Sequence, residues 1–404
     1  MNDDQHIPSG YKPSPLGPIP EDWEVKRLGD FSTFFSGGTP KSGNALYYNG
    51  TIPFIRSGEI NRDRTELFLS QEGINNSSAK FVEVGDILYA LYGANSGQCS
   101  LSKINGVINQ AILCIRPEAD RYYIMTFLQH NKDHYYNSYL QGGQGNLSGE
   151  IVSNYKITIP PIEEQKRICT VFQLWDTAIA KQTALIEQLT LRKRGLMQQL
   201  LTGKERLKGF EGEWKKCAIK SFAKEVSIKN TYNKDYIVLS CTKYDGLVPS
   251  LEYFGKQIYS NDLSTYKVVP KNHFAYATNH IEEGSIGYQA QYDNGLISPM
   301  YTVFETDKEK IDNTYLFAVL KSHHLIHLYQ AMMEGSINRR GGLRWDSFST
   351  IKVDLPSLEE QKAISAFLYN ADKEIEIQKQ KLAAMQEQKK GLIQVLLTGK
   401  KRIK

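Results

Sequence analysis

One segment of the chain occurs twice. Residues 160–206 align with residues 356–402 at a constant offset of 196 and without a gap, and 19 of the 47 aligned positions are identical. The longest identical run is Leu-Leu-Thr-Gly-Lys, at residues 200–204 and again at 396–400. A period of 196 residues is much longer than the unit of a solenoid protein. The chain is therefore predicted to consist of two duplicated half-molecules.

The repeat continues more weakly outside these segments. Trp23 matches Trp214 at an offset of 191, and residues 105–108 match 294–297 at an offset of 189. The residues between these landmarks have little in common. The two halves are thus predicted to share a framework and to differ in the variable parts of their globular regions.

Each strongly repeated segment has the pattern of one long helix. Apolar residues recur every three or four positions, after a proline and an acidic pair and before Thr-Gly-Lys, with Gly203 or Gly399 as the C-cap. About 39 residues at ~1.5 Å each give a rod about 58 Å long. A narrow apolar stripe of that length needs a partner, and the other copy is the expected one. The alternative is two unrelated helices, each packed on its own domain.

The fold class predicted from this pattern is α+β, with two mixed α/β globular regions, two long antiparallel, coiled-coil-like helices and a pseudo-twofold internal repeat. The predicted segments are an N-terminal extension at 1–20, a first globular region at 21–159, a central helix at 160–208, a second globular region at 209–355 and a C-terminal helix at 356–404. Predicted strands include 86–91, 107–115, 236–240 and 300–305, with helices near 122–139 and 313–333. The proline-rich extension is expected to be extended or disordered.

The sequence contains no motif that supports catalysis. A Gly-x4-Gly-Lys-Ser/Thr phosphate loop and the Asn/Asp-Pro-Pro-Tyr/Phe segment of an amino-methyltransferase are both missing. Residues 142–145 are rich in glycine, but they do not connect a strand to a helix and favour a loop. His323, His324 and His327 have metal-like spacing without a fourth ligand nearby. We therefore predict no catalytic residue and no metal site, which disfavours an independent nuclease or methyltransferase.

Charge and cysteine content restrict the location and the partners. The net charge is +5, but residues 160–206 carry +3 and residues 356–404 carry +4, so the rest of the chain is slightly acidic. Any nucleic acid bound by the globular regions must therefore meet local patches. The apolar runs are much shorter than the ~20 residues of a membrane span. Five cysteines spaced at least 15 residues apart fit a reducing compartment, and we predict a cytoplasmic protein.

Loops that mix basic, tyrosine and amide side chains are the candidates for DNA contacts, because Asn, Gln and Arg pair with adenine or guanine edges. In the first region they are Arg56, Lys80, Tyr89, Tyr92, Asn95, Ser96, Gln98, Gln141, Gln144 and Asn146. In the second region they are Thr242, Lys243, Tyr244, Thr278, Asn279, His280, Asn338, Arg339, Arg340 and Arg344. For each residue alone, an ordinary surface loop is the favoured alternative. The prediction depends on the observation that corresponding loops differ while the framework repeats.

This arrangement resembles the specificity subunit (S, or HsdS) of a type I restriction–modification enzyme. The resemblance covers essentially the whole chain and depends most on residues 160–166 (PPIEEQK) and 200–204 (LLTGK), with their second copies. The start of each globular region, at Trp23 and Trp214, supports it. In the second copy, Pro356-Ser357 replaces the double proline, which is a minor departure.

The resemblance implies that the globular regions are target recognition domains, each reading one half of a bipartite, asymmetric duplex DNA site. It further implies that the helices set the spacer between the half-sites and dock two modification (methyltransferase) subunits. This chain would bind no cofactor. S-adenosylmethionine would belong to the partner methyltransferase, and ATP and Mg to the restriction subunits that cleave unmethylated DNA. The alternative is a non-catalytic protein–protein scaffold with duplicated α/β domains on a helical hairpin.

Overall fold

A computed structural model describes residues 7–139, 146–334 and 342–403. The chain forms two compact units, the first made of residues 1–183 and 381–404 and the second of residues 184–380. Both boundaries fall inside the long helices predicted above. Each long helix therefore contributes its N-terminal part to one unit and its C-terminal part to the other.

The first unit is built from short strands and helices. In chain order they are β1 (Tyr11–Lys12), β2 (Ile19–Pro20), β3 (Glu24–Arg27), β4 (Ser32–Ser36), β5 (Ile52–Ile55), β6 (Leu67–Leu69), α1 (Gln71–Asn75), β7 (Lys80–Val82), β8 (Ile87–Ala90), β9 (Cys99–Leu101), β10 (Gly106–Ile108), β11 (Ile112–Pro117), α2 (Arg121–His130), α3 (Lys132–Tyr139), α4 (Gly149–Ser153), β12 (Lys156–Ile159) and the start of α5 (Ile162–Leu200). Two four-stranded sheets, in the orders β6-β5-β10-β7 and β4-β11-β8-β9, accompany the pairs β12-β3 and β1-β2.

The second unit repeats this order. Its elements are β13 (Lys215–Ala218), β14 (Ala223–Val226), β15 (Ile237–Thr242), β16 (Gly246–Pro249), α6 (Ser250–Phe254), β17 (Lys267–Pro270), β18 (Phe274–Ala277), β19 (Ile286–Tyr288), β20 (Asn294–Ile297), β21 (Tyr301–Thr306), α7 (Asn313–Leu320), α8 (His323–Glu334), α9 (Trp345–Phe348), β22 (Lys352–Leu355) and the start of α10 (Leu358–Leu397). Its sheets have the orders β16-β15-β20-β17 and β14-β21-β18-β19, with the pair β13-β22.

Apart from the β1–β2 hairpin of the first unit, the sheet topology of the two units is the same strand for strand. In each unit one strand pair is parallel, β5 with β10 and β15 with β20, and the other pairs of the named strands are antiparallel. The backbone repeats in detail as well. Gly85 and Asn272 occupy the same place before β8 and β18, and both have a positive φ, of 89° and 66°. The duplicated framework is therefore more complete than the sequence identity indicated.

The end of each long helix packs into the core of a globular region. Leu396 and Leu397 lie in the first unit's core together with Trp23, and Leu200 and Leu201 lie in the second unit's core. In the first unit the Thr158 hydroxyl also donates a hydrogen bond of 3.0 Å to the carbonyl oxygen of Leu397. The repeated Leu-Leu pair is thus repeated because it fills equivalent core positions.

The prediction of two long antiparallel helices is confirmed. Helix α5 has 39 residues and α10 has 40. Gly203 and Gly399 follow their ends with φ of 67° and 70°, the left-handed geometry of a helix C-cap. In the described residues no helix has the length and hydropathy of a membrane span.

Ion pairs between the two repeated segments, which comprise the long helices and the residues after their ends, show the direction of the segments within each unit. In the first unit, Arg402 pairs with Glu164 and Lys389 with Asp176. In the second unit, Arg206 pairs with Glu360 and Lys193 with Asp372. As one residue number rises its partner's number falls, so the segments run antiparallel in both units. All eight residues belong to the identical positions of the repeat.

Three predicted elements were wrong in detail. The helices expected near 122–139 and 313–333 are each two helices, and the strand expected at 107–115 is two strands. Asn131 ends α2 by donating from its side-chain amide to the Phe127 carbonyl oxygen, and the Asn109 side chain accepts from the Ala111 backbone between β10 and β11. Local side-chain hydrogen bonds of this kind compete with regular structure.

The proline-rich extension was expected to be extended or disordered, and in its described part, residues 7–20, short extended strands are present. It forms the hairpin β1–β2, and the Tyr11 hydroxyl donates a hydrogen bond of 2.7 Å to the Gly399 carbonyl oxygen. Ile19 is buried in the first unit's core. The extension thus packs against the C-terminal end of α10.

Candidate nucleic-acid interface

The loop between β8 and β9 carries several of the residues predicted to contact DNA. Residues 91–98 form a closed turn, because the backbone N–H of Ala90 donates to the Gln98 carbonyl oxygen at 2.8 Å and the Ser96 hydroxyl donates to the Leu91 carbonyl oxygen at 3.0 Å. Tyr92 and Asn95 are half-buried and Gln98 is exposed. The hydrogen-bonded backbone presents these side chains from one turn.

A second predicted loop lies beside this turn. The backbone N–H of Leu147 donates a hydrogen bond of 2.9 Å to the Leu91 carbonyl oxygen, and the preceding residue, Asn146, is exposed. Two stretches that are far apart in sequence therefore meet at one place. We call Tyr92, Asn95, Gln98 and Asn146 the first-domain surface.

The second unit has the same arrangement. The backbone N–H of Leu343 donates a hydrogen bond of 2.9 Å to the carbonyl oxygen of Thr278, the residue equivalent to Leu91. Gly342 fits against this loop with a φ of 63°, and a Cβ at that position would lie 2.4 Å from the Asn279 side-chain oxygen. The close approach brings Thr278 and Asn279 next to Arg344.

These three residues line a cleft of about 470 Å³. We call it the second-domain cleft. Its other lining residues are Glu225, Lys267, Pro299, Met300, Tyr301, Thr302, Trp345 and Asp346. Hydrogen-bond donors and acceptors, including acidic and basic side chains, thus line one cleft beside the Trp345 ring. Such a set can pair with the edges of bases and with phosphates.

Sequence reasoning missed most of the cleft. Lys267 could have been found, because it aligns with the candidate Lys80 when the two halves are superimposed at an offset of 187. Trp345 and Asp346 directly follow the candidate Arg344. Glu225 and Met300 carried no signal, since they come from β14 and from the residue before β21 and meet the cleft only through the sheet.

Three of the residues predicted to contact DNA have buried side chains in the structure. The Tyr89 ring is 1% exposed and packs edge-on against Tyr155 at 6.4 Å. Ser96 and Thr242 are buried and hold turns, the second by accepting a 3.0 Å hydrogen bond from the Asp245 backbone. Burial also raises the pKa of the Tyr89 hydroxyl. All four residues of β8 are buried, so the strand that carries Tyr89 has no exposed face.

Arg56 is held in an ion-pair network rather than left free for a base. Its guanidinium donates to both oxygens of Glu59, at 3.0 and 3.1 Å, and to Glu66 at 2.6 Å. Burial alone would raise the pKa of the Glu59 carboxyl, but the Arg56 guanidinium and two backbone N–H groups lower it to about 2. Arg56 therefore serves first to neutralise a buried carboxylate.

The remaining candidates of the second unit lie on two exposed turns. The Lys243 ammonium group lies 5.5 Å from the centre of the Tyr244 ring. The Lys321 ammonium group donates a hydrogen bond of 2.7 Å to the Lys243 carbonyl oxygen. His280 is close to Glu282 and Glu283, with one ligand atom of each within 4.8 Å of the others. The acidic neighbours make the position of His280 less favourable for a phosphate, and we assign no metal to this exposed group.

Five candidates lie outside the described residues: Gln141, Gln144, Asn338, Arg339 and Arg340. Their contacts with DNA stay predictions. Lys80 is exposed on β7, at the edge of its sheet.

Known proteins show the same duplication. The protein-family model for the type I restriction modification DNA specificity domain matches residues 20–191 of this chain and, a second time, residues 212–387. The chain belongs to this family. The type I restriction enzyme MjaVIII specificity subunit of Methanocaldococcus jannaschii is 27% identical, over 96% of this chain and 94% of the relative.

Solved structures support the same fold. The HsdS subunit from Thermoanaerobacter tengcongensis matches with a TM-score of 0.54 and 16% identity, over 94% of this chain and 98% of that one. A type I specificity subunit from M. genitalium matches with a TM-score of 0.53 and 14% identity, over 98% of both chains. The prediction of the family is confirmed, and so is the prediction of a non-catalytic specificity subunit, because the relatives are specificity subunits of type I restriction enzymes.

Proposed function

We propose that this specificity subunit reads a bipartite, asymmetric duplex DNA site, with one half-site for each globular region. The observation that carries the proposal is the pair of equivalent loops, 91–98 with Asn146 and 278–285 with Arg344, on one repeated framework. A shared framework gives both domains the same way of approaching a duplex. Different side chains at the equivalent positions, such as Tyr92 and Asn279, give them different sequences to read.

The long helices set the distance between the half-sites in this proposal. Each helix has one end in each unit. The Leu-Leu pair at the C-terminal end of α5 is buried in the second unit, and the pair at the end of α10 is buried in the first. Centres of half-sites one turn of DNA apart are ~34–36 Å from each other. A helix of 39 residues, about 58 Å long at 1.5 Å per residue, can span that distance.

The partners follow from the same role. Two modification subunits would dock on the helices, and restriction subunits would join them. Exposed apolar side chains on α5 and α10 support docking: Leu174 is 65% exposed, Leu191 67% and Tyr369 65%. S-adenosylmethionine would be bound by the modification subunits, and ATP with Mg by the restriction subunits. The complex would act on DNA in the cytoplasm.

Exchanging one globular region tests the function. The chain and its modification subunit are co-expressed, and methylated adenines in the host DNA are mapped by sequencing. Replacing residues 21–159 with the equivalent region of another family member is expected to change one half-site and to keep the other half-site and the spacer. The chain expressed alone is the control and should methylate nothing. A change in both half-sites, or methylation by the chain alone, would refute the proposal; a pure scaffold would leave the methylated sequence unchanged.

Single substitutions in the two surfaces are expected to act on different half-sites. Arg344→Ala should relax the second half-site and Asn146→Ala the first, each by ~1–3 kcal/mol at one base pair if the side chain reads a base edge. The measurement is the methylation rate on duplexes that carry single base changes. Each variant is the matched control for the other, and relaxation of the same half-site by both would contradict the assignment.

A further inference from the structure

The two halves align without a gap over residues 79–101 and 266–288, at an offset of 187. The strand register supports the alignment. Lys80 pairs with Ile108 as Lys267 pairs with Ile297, and Tyr89 pairs with Cys99 as Tyr276 pairs with Ile286. Only five of these 23 positions are identical in the two halves: 80, 82, 89, 90 and 97, with their counterparts 267, 269, 276, 277 and 284.

Four of the five identities have a structural cause. Val82, Tyr89 and Ala90 are at most 1% exposed, and their counterparts Val269, Tyr276 and Ala277 are buried as well. Gly97 and Gly284 both have a positive φ, of 78° and 92°, where a side chain would be strained. Packing and backbone geometry therefore account for these positions.

The fifth identity, Lys80 with Lys267, has no such cause. Lys80 is exposed, and lysine is a poor strand former. Lys267 is half-buried at the wall of the second-domain cleft, beside Asn279 and Arg344. One donor of its ammonium group is used by the Tyr301 carbonyl oxygen, at 2.6 Å, and an ammonium group has three. An edge position favours a charged side chain in general, but core packing does not explain why the same cation lies at both places.

We infer that Lys80 and Lys267 bind the phosphate backbone of DNA at equivalent points of the two half-sites. The inference rests on the proposed function. Residues that read bases must differ between the domains, as Tyr92 and Asn279 do, because the half-sites differ. Phosphates are the same in every half-site, so a residue that contacts one can be the same in both domains. Lysine, a flexible point charge, is suited to a contact that carries no sequence information.

Salt dependence of binding tests this. The complex of the full chain with its modification subunit is titrated with a fluorescent 40-base-pair duplex that carries the methylated sequence, and with a duplex of shuffled sequence. Affinity falls as salt concentration rises, and each phosphate contact contributes about −0.9 to the slope of log affinity against log salt. Lys80→Ala and Lys267→Ala should therefore each make the slope less steep by about 0.9, and the double variant should make it less steep by about 1.8. The loss should be equal on both duplexes, and the methylated sequence should not change.

Lys156 and Lys352 provide a matched control. They are also equivalent exposed lysines, on β12 and β22, and alanine there should leave the slope unchanged. Lys80→Arg and Lys267→Arg keep the charge and should restore it. An unchanged slope in the alanine variants, or a loss confined to the methylated sequence, would overturn the inference while leaving the proposed function intact. If the wild-type complex does not prefer the methylated sequence over the shuffled one, the proposed function fails.

Discussion

Replacing Arg206 with alanine is expected to destabilise the second unit by about 3 kcal/mol, because removing one partner of a buried ion pair leaves an uncompensated charge. The Glu360 side chain is 2% exposed, and Arg206 donates to both of its carboxylate oxygens, at 2.5 and 2.6 Å. The guanidinium also lies over the Trp214 ring at 5.6 Å. Hydrogen exchange of strands in the second unit's core measures the loss, since the two units can open separately.

The equivalent substitution in the first unit should cost less. In Arg402→Ala, the partner Glu164 keeps a 3.0 Å hydrogen bond from the indole N–H of Trp23. In the second unit, the indole N–H of Trp214 is buried and has no hydrogen-bond partner within the described residues. The equivalent tryptophan and glutamate residues are therefore joined by a hydrogen bond in the first unit and not in the second.

Lys216→Ala is the control for Arg206→Ala. Lys216 forms an ion pair of 3.9 Å with Asp354 in the same unit, and both side chains are more than half exposed. Pairs of this kind contribute about 0–1 kcal/mol. Equal losses in Lys216→Ala and Arg206→Ala would show that burial of Glu360 does not determine the effect.

The repeat predicted the long helices, their antiparallel pairing and the two half-molecules, because these features depend on residues that are identical in both copies. Glu164, Asp176, Lys193 and Arg206 each recur 196 positions later and form equivalent ion pairs. Periodicity and caps are local signals, so one sequence suffices to find them.

The strand-for-strand identity of the two globular regions could not be predicted, because equivalent positions carry different chemistry. In the first unit Arg116 donates 2.6 Å to the buried Asp86. In the second unit the equivalent residues are Glu305 and His273, whose carboxylate oxygen and ring nitrogen lie 3.7 Å apart. The acidic and basic partners have exchanged places. An alignment of the two halves therefore shows two mismatched residues at these positions, although the structure keeps an acidic residue next to a basic one in both units.

The candidate site was predicted in outline and not residue by residue. The sequence located the loops, since glycine, amide and basic residues cluster there. It did not distinguish Tyr92, which is half-buried on the loop, from Tyr89, which faces the core three residues earlier. It also did not indicate that Asn146 and Arg344 come next to loops formed far earlier in the chain, because that depends on hydrogen bonds from Leu147 and Leu343.

Lengthening both long helices is expected to lengthen the unread spacer of the DNA site. Seven residues would be inserted after Thr183 in α5 and seven after Gln380 in α10, at the boundaries of the two units. The interhelical ion pairs of Asp176 and Lys193 would stay intact on either side. Seven helical residues add about 10.5 Å, which is close to three base pairs at ~3.4 Å each.

We expect both half-sites to stay unchanged and the spacer to grow by about three base pairs, as mapped by sequencing of methylated adenines. Three base pairs also rotate one half-site by roughly a third of a turn of DNA, so the methylation rate should fall while the new sequence is still selected. Insertion into α5 alone is the control, because it lengthens only one of the two helical connections between the units and should abolish methylation. Methylation at the original spacing by the doubly lengthened chain would mean that the helices do not determine the distance between half-sites.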